Sequence, residues 1–288
     1  MKRLLCGFAA WVLLIGLTGP AQAQYTYTTL DPPGARLTQP FGINGSGQIV
    51  GTYNDAGGRG HGFLRDTDGG YTMLDVPGAT STAPQGINDA GQIVGFFQDA
   101  SGNHGFRLDI DGSYTTLDVP GASRTGALGI NAAGQIVGGY SDPAGGHGFL
   151  LDVDGSYTTL DVPGSTYTVA SGINSSGQIV GYYEDTGGSH SSFLLDVDGS
   201  YTTIELPGGF FPAVAGINDS GQIVGTYVEG EDTYHGFVLD MDGSFTTIDP
   251  PGSTLTSALG INDLGQIVGP YADAGGSHGF GAPTPVPS

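Results

Sequence analysis

The sequence predicts an all-β protein, a six-bladed β-propeller of four-stranded blades, closed by pairing the N-terminal strand into the last blade. Three observations carry that expectation. The tripeptide Gly-Ile-Asn begins at Gly42, Gly86, Gly129, Gly172, Gly216 and Gly260, at steps of 43 or 44 residues, a period long enough for four short strands. The segments between are dominated by Val, Ile, Thr, Tyr and Phe and separated by Gly, Asp, Asn and Pro, with no sustained helical period. The motif of the fourth strand occurs six times, at Tyr27, Tyr71, Tyr114, Tyr157, Tyr201 and Phe245. Its first copy precedes the first Gly-Ile-Asn, whereas the last unit stops at His278-Gly279-Phe280 without one.

Within each unit the pieces follow in a fixed order. The x-Gly-Ile-Asn strand comes first, and a small turn such as Asp89-Ala90 leads to Gly-Gln-Ile-Val-Gly-x-Tyr, as in Gly91 to Phe97. A Gly-rich loop then precedes His-Gly-Phe-Leu-Leu-Asp, as in His147 to Asp152, and an Asp-Gly turn opens Tyr-Thr-Thr-Leu-Asp, as in Tyr157 to Asp161. The longest connection, for example Val119 to Leu128, crosses from the outer strand of one blade to the inner strand of the next. The Gly-Ile-Asn strands then line a central channel. Ring closure accounts for the displaced fourth strand, because the strand near Tyr27 completes the blade that ends near Phe280. An open solenoid would leave unpaired edges and need capping units. Aromatics at the slots of Tyr53, Phe63 and Tyr71 recur in every unit and supply core burial for a chain that is only 38% apolar.

Residues 1–23 read as a signal peptide: Lys2 and Arg3, an apolar run from Leu4 to Leu17, Gly19-Pro20, then Ala21-Gln22-Ala23. Residues 24–280 form the repeat domain and 281–288 a Pro-rich tail. Cleavage before Gln24 removes the single Cys (Cys6) and the single Trp (Trp11), so no disulfide or thiolate metal site is expected. No later segment approaches spanning length, so no membrane span is expected after cleavage. The remaining chain carries 28 acids against 5 Arg, a formal charge of 5 − 28 = −23. That balance repels phosphate backbones and argues against nucleic acid as a partner. The expected location is extracellular or periplasmic.

The recurring His-Gly-Phe, Gly-Gln-Ile-Val-Gly and Tyr-Thr-Thr-Leu-Asp-Val-Pro-Gly-Ala motifs resemble the bacterial extracellular repeats called the HAF family, over residues 25 to 280. The resemblance implies a secreted bacterial protein of repeat architecture. The fourth unit departs from the motif, with Ser191 and Ser192 between His190 and Phe193. Pro283 to Ser288 is similar to the start of a sorting tag that some relatives carry, without the hydrophobic anchor.

Four features are candidates for chemistry. All six His (His61, His104, His147, His190, His235, His278) begin the third strand. Strands lie about 4.8 Å apart, so that position is far from the axis and equivalent His diverge. They are expected to bond a nearby backbone group or hydroxyl, with zinc or copper as the alternative. Each Asp-x-Asp-Gly turn offers two carboxylates, at Asp66 and Asp68, Asp109 and Asp111, Asp152 and Asp154, Asp196 and Asp198, and Asp240 and Asp242. Calcium is the cofactor they would take, but the further ligands of a calcium loop are missing and Asp-Gly is itself a hairpin signal. Asn44, Asn174 and Asn218 begin Asn-x-Ser sequences in the first turn. All five Arg that follow the signal peptide precede residue 125, and 18 acids follow it with no base, leaving half of the ring strongly negative.

Catalysis in a symmetric scaffold should appear as broken symmetry, and no nucleophile elbow, zinc-protease helix or phosphate loop is present. No catalytic residue is assigned. The fifth unit departs most: its entry loop holds Phe210 and Phe211, and its loop after the second strand holds Glu229, Glu231 and Asp232, followed by Tyr234. Strand alternation puts both loops on one face. Aromatics beside carboxylates suit a glycan or protein ligand, and paired acids suit a glycosidase. The leading reading is a secreted binding or scaffold module. The alternatives are a carbohydrate-active enzyme with its acidic site in the fifth unit and a calcium-dependent surface protein.

Overall fold

A computed structural model of the chain describes residues 25–206, 212–230 and 233–282. Among the described residues there is no helix. The third unit is representative, with strands Arg124–Ile130, Ile136–Asp142, Gly145–Leu151 and Tyr157–Leu160 paired antiparallel in sequence order. The first, second, fourth and fifth units repeat that meander. In the last unit the first strand is in two short pieces, Leu255–Thr256 and Gly260–Ile261, followed by Ile267–Asp273 and Gly276–Ala282. The fourth place is taken by Thr28–Thr29, with Thr28 opposite Gly281 and Thr29 opposite Phe280. Leu30 N–H donates to Gly279 O at 2.8 Å. The final strand reaches Ala282, two residues beyond the expected end of the domain.

The turns explain the spacing of the motifs. Asn88 N–H donates to Gln92 O, and Gly91 N–H to Asn88 O, a tight loop whose last residue must be left-handed. Gly91 supplies that with φ 80°, and Gly112 does the same with φ 84° in the Asp109-Ile110-Asp111-Gly112 turn. In the first strands the residue before the Gly-Ile-Asn glycine is a bulge, as between Ala127 and Gly129, which adds local twist where the strands converge.

Two circuits run through the innermost strands. Asn44 Nδ2 donates to Asn88 O, Asn88 to Asn131 O, Asn131 to Asn174 O, Asn174 to Asn218 O, and Asn218 to Asn262 O. Asn262 Nδ2 then donates back to Asn44 O at 2.9 Å. The glycines follow the same circuit: a Cβ at Gly129 would lie 3.1 Å from Gly172 Cα, and one at Gly260 would lie 2.5 Å from Phe41 O and 3.2 Å from Gly42 Cα. Backbone meets backbone around the channel, so no side chain fits.

The core sits between units rather than within them. Phe63, Phe106, Phe149, Phe193, Phe237 and Phe280 are 0–1% exposed, and all but Phe237 meet the aromatic of the outer strand edge-on, as Phe106 and Tyr114 do at 5.7 Å. Val50 of the first unit packs with Ile93 and Phe106 of the second, and Val268 of the last packs with Leu30, Ile49 and Phe63. Each unit is thereby buried by its neighbour.

Candidate functional site

Alternating strand direction sorts the connections onto two faces. The Asn turns and the Asp-x-Asp-Gly turns share one, here the turn face. The loops between second and third strands share the other, the crossover face, with the long connections.

On the turn face the repeated carboxylates hold hairpins together. The first Asp of each Asp-x-Asp-Gly accepts from a Gln Nε2: Asp66 from Gln48 and Asp109 from Gln92 at 2.8 Å, Asp152 from Gln135 at 3.3 Å, Asp196 from Gln178 at 3.4 Å, and Asp240 from Gln222 at 2.8 Å. The second accepts from the backbone N–H two residues on, as Asp68 from Gly70 and Asp111 from Ser113, and likewise at Asp154, Asp198 and Asp242. The Ser113 hydroxyl and N–H hold the Asp111 carboxyl below its usual value. Among the described residues no group of three or more His, Cys, Asp or Glu is arranged to hold a metal ion.

On the crossover face five His lie between two carboxylates each. His61 Nδ1 is 3.0 Å from Asp75, and its Nε2 is 3.6 Å from Asp55. His104 is placed between Asp118 and Asp99, His147 between Asp161 and Asp142, His235 between Asp249 and Glu229, and His278 between Asp31 and Asp273. A hydroxyl partner of the expected kind is found at His104, whose Nε2 meets Ser101 Oγ at 2.9 Å; at Nδ1 carboxylates take that place because the ladder sets the Asp ending the fourth strand beside the start of the third. The hydrogen bond that His147 donates to Asp161 raises the His147 pKa, against the opposing effect of burial. Asp142 is lowered, first by the Ala144 N–H.

The fourth unit breaks this pattern, with His190 exposed and Glu205 where the others have Asp. A compensation lies next to it. In the second, third and fourth units a buried Thr hydroxyl on the first strand accepts from the crossover backbone, as Thr125 does from Val119 N–H at 3.1 Å. The fifth unit has Pro212 at that slot, and buried Ser192 of the preceding unit takes over, donating to Pro212 O at 2.7 Å and accepting from Val214 N–H at 3.2 Å.

Of the expected fifth-unit site, Phe210, Phe211, Glu231 and Asp232 lie outside the described residues. Glu229 and Tyr234 come together at one exposed hairpin end, with Thr233 opposite Glu229 and Val228 opposite Tyr234. Glu229 Oε2 is 3.6 Å from His235 Nε2.

Sequence reasoning missed a cleft on the crossover face, centred on the third unit. The residue after Val-Gly in the second strands is Thr52, Phe96, Gly139, Tyr182, Thr226 and Pro270 in turn. Gly139 therefore opens a gap between two aromatics from adjoining units, and Gly126 on the neighbouring first strand widens it. The cleft has a volume of about 290 Å³, with Phe96, Tyr140, Tyr167 and Tyr182 on its walls and Arg124, Asn103 and Ser141 among its polar residues. Phe96 and Tyr167 are each 36% exposed. The Tyr167 ring lies flat on the Gly146 backbone, where a Cβ would clash at 2.1 Å, and 6.2 Å from the Tyr182 ring. Burial and the Tyr167 hydroxyl push the Tyr182 pKa up to about 12, so the Tyr182 hydroxyl is a neutral hydrogen-bonding group near neutral pH. Comparing one slot across all repeats is the signal that finds this cleft. A larger apolar hollow of about 500 Å³ lies between the fourth and fifth units, lined by Leu194, Ile204, Leu206, Ile223 and Met241, with Glu205 and Asp240 its only charged neighbours among the described residues.

No protein-family model matches the sequence, and no curated protein is similar to it. Solved structures do match across most of the chain. TolB from Acinetobacter baumannii is 15% identical with a TM-score of 0.60, over 83% of this chain and 64% of that one. Regucalcin, a calcium-binding protein from Agrobacterium tumefaciens, is 16% identical with a TM-score of 0.54, over 91% and 95%. The Aleuria aurantia lectin, in complex with Fucα1-6GlcNAc, is 16% identical with a TM-score of 0.52, over 90% and 98%. These are β-propeller proteins, and the chain shares their all-β, propeller-like architecture.

Proposed function

We propose that the chain is a secreted member of the HAF repeats, a six-bladed propeller closed between its first and last strands, and that it acts as a binding module without catalysis. The recurring motifs support the family, and the circuit from Asn44 through Asn262 supports six blades in a ring. One observation carries the function. The repeated His and Asp side chains are taken up in holding turns and strands, whereas the departures from the repeat gather on the crossover face as exposed aromatics, open space and uncommitted polar groups. Such a surface binds more readily than it reacts. A glycan or a peptide is the ligand class that suits it.

The test is an array of glycans and peptides probed with the chain beginning at Gln24. Selective signal is expected, and a blank result on both arrays overturns the reading. A second reading, a carbohydrate-active enzyme, draws on Glu229 standing beside His235 at the fifth-unit hairpin. It requires a hydrolytic activity that Glu229→Gln together with Glu231→Gln abolishes.

A further inference from the structure

We propose that the cleft centred on the third unit binds an acidic sugar, a pyranose ring carrying a carboxylate. The inference deepens the binding-module reading and rests on it.

Three features of the cleft select that chemistry. The first is shape. Gly139 and Gly126 remove the side chains that their counterparts place at the same slots, and the hollow of about 290 Å³ has aromatic rings on facing sides, Phe96 from the second unit and Tyr167 with Tyr182 from the fourth. That volume is at the lower bound of small-molecule pockets, roughly 300 Å³, and matches a single six-membered ring with its substituents better than an extended peptide. Tyr167 is held by the Gly146 backbone beneath it and by Tyr182 beside it, so little side-chain entropy is lost when a ring stacks there.

The second is the unspent polar equipment. Neither the Asn103 amide nor the Ser141 hydroxyl makes a side-chain hydrogen bond among the described residues. A purely aromatic ligand would leave both unanswered, whereas ring hydroxyls would satisfy them.

The third is Arg124. The chain after the signal peptide has five Arg against 28 acids. Arg107 pairs with Asp109 at 3.0 Å, yet exposed Arg124 makes no ion pair among the described residues. A planar guanidinium without a partner at the edge of an aromatic cleft matches one carboxylate in bidentate geometry. Polyanions are disfavoured by the charge of the whole surface, but a single carboxylate meets mainly the local cation, since distant charges are screened beyond about 8 Å at physiological ionic strength.

The experiment titrates the chain from Gln24 with methyl galacturonide, its neutral methyl ester, and benzoate, reading tyrosine fluorescence and calorimetry. Tighter binding of the charged monosaccharide than of the ester is expected, with at least a tenfold loss in Arg124→Gln that the ester does not show. Gly139→Phe, which copies Phe96 into the gap, should abolish binding of the galacturonide in a variant whose circular dichroism still matches the parent. Equal affinity of parent and Arg124→Gln for the galacturonide overturns the proposal, as does binding of benzoate alone. The array separates the two levels of inference. Signal retained in Gly139→Phe sinks the cleft and leaves the binding module standing, whereas an array blank for the parent chain sinks both.

Discussion

At the scale of single residues, the width of the channel is decided by atoms that are absent. A methyl group at Gly260 would press on Phe41 O and Gly42 Cα, which are backbone atoms with no rotamer to change. Overpacking of this kind costs about 1–3 kcal/mol. At roughly 2–4 °C per kcal/mol for a chain of this size, Gly260→Ala should lower the calorimetric midpoint by several degrees, and an unchanged midpoint would show that the ring can breathe there. Asn262→Ala tests the same junction through hydrogen bonding, since it strips a donor from Asn44 O and an acceptor from Gln266 N–H. Leaving buried groups unpaired costs about 1–3 kcal/mol each, so its midpoint should fall at least as far. The motif placed these Asn in the first turn correctly. Their bond to the next unit was not legible, because its partner lies 43 or 44 residues away along the chain, or 218 in the case of Asn262.

At the scale of elements, strands and hairpins were legible in the repeat, since period, turn residues and β-branched composition all agree. The partners of the His were not. They depend on ladder register, with Gly148 opposite Leu160, which brings His147 to Asp161. Their pH dependence follows from the directions of the shifts. The pKa of His147 is raised above 6.5 in the folded chain, so its contribution is complete below 6.5 and is lost as pH rises through the raised value. Asp142 is lowered beneath 3.8, so its contribution is present above 3.8 and is lost as pH falls through the lowered value. Stability from this pair peaks between the two. The melting midpoint should therefore be higher at about pH 5.5 than at about pH 8.5, and His147→Gln should narrow the gap. The Asp-x-Asp-Gly hairpins make a separate prediction. Their carboxylates already serve Gln and backbone donors, so melting curves with added calcium and with chelator should coincide. A rise with calcium would support the calcium-dependent reading.

At the scale of the whole molecule, units that bury one another's core cannot be trimmed independently. Starting the chain at residue 34 removes Thr28–Thr29, the 2%-exposed Leu30 and Asp31, leaving Gly276–Ala282 an open edge and His278 without its Nδ1 partner. Such an edge recruits other chains. The shortened protein should melt at a much lower temperature and elute as oligomers in size-exclusion chromatography, and a monomer of parental stability would contradict the closure. The all-β, propeller-like repeat was legible because period, turn residues and strand composition agree, and the displaced fourth-strand motif pointed to the pairing of Thr28–Thr29 with Gly276–Ala282. The cleft was not, since it consists of two glycines in a chain with 54 and emerges only when equivalent slots are set side by side.

The pairing of Thr28 with Gly281 also fixes a timetable. A growing polypeptide delivers its leading segment first, yet Thr28–Thr29 has no ladder to join until Gly276–Ala282 has arrived. The entropic toll of waiting grows only logarithmically with the intervening length, so the latch remains affordable late. A chain that stops before Gly276–Ala282 leaves Thr28–Thr29 without a partner strand, so this one short ladder reports whether the far segment has been made.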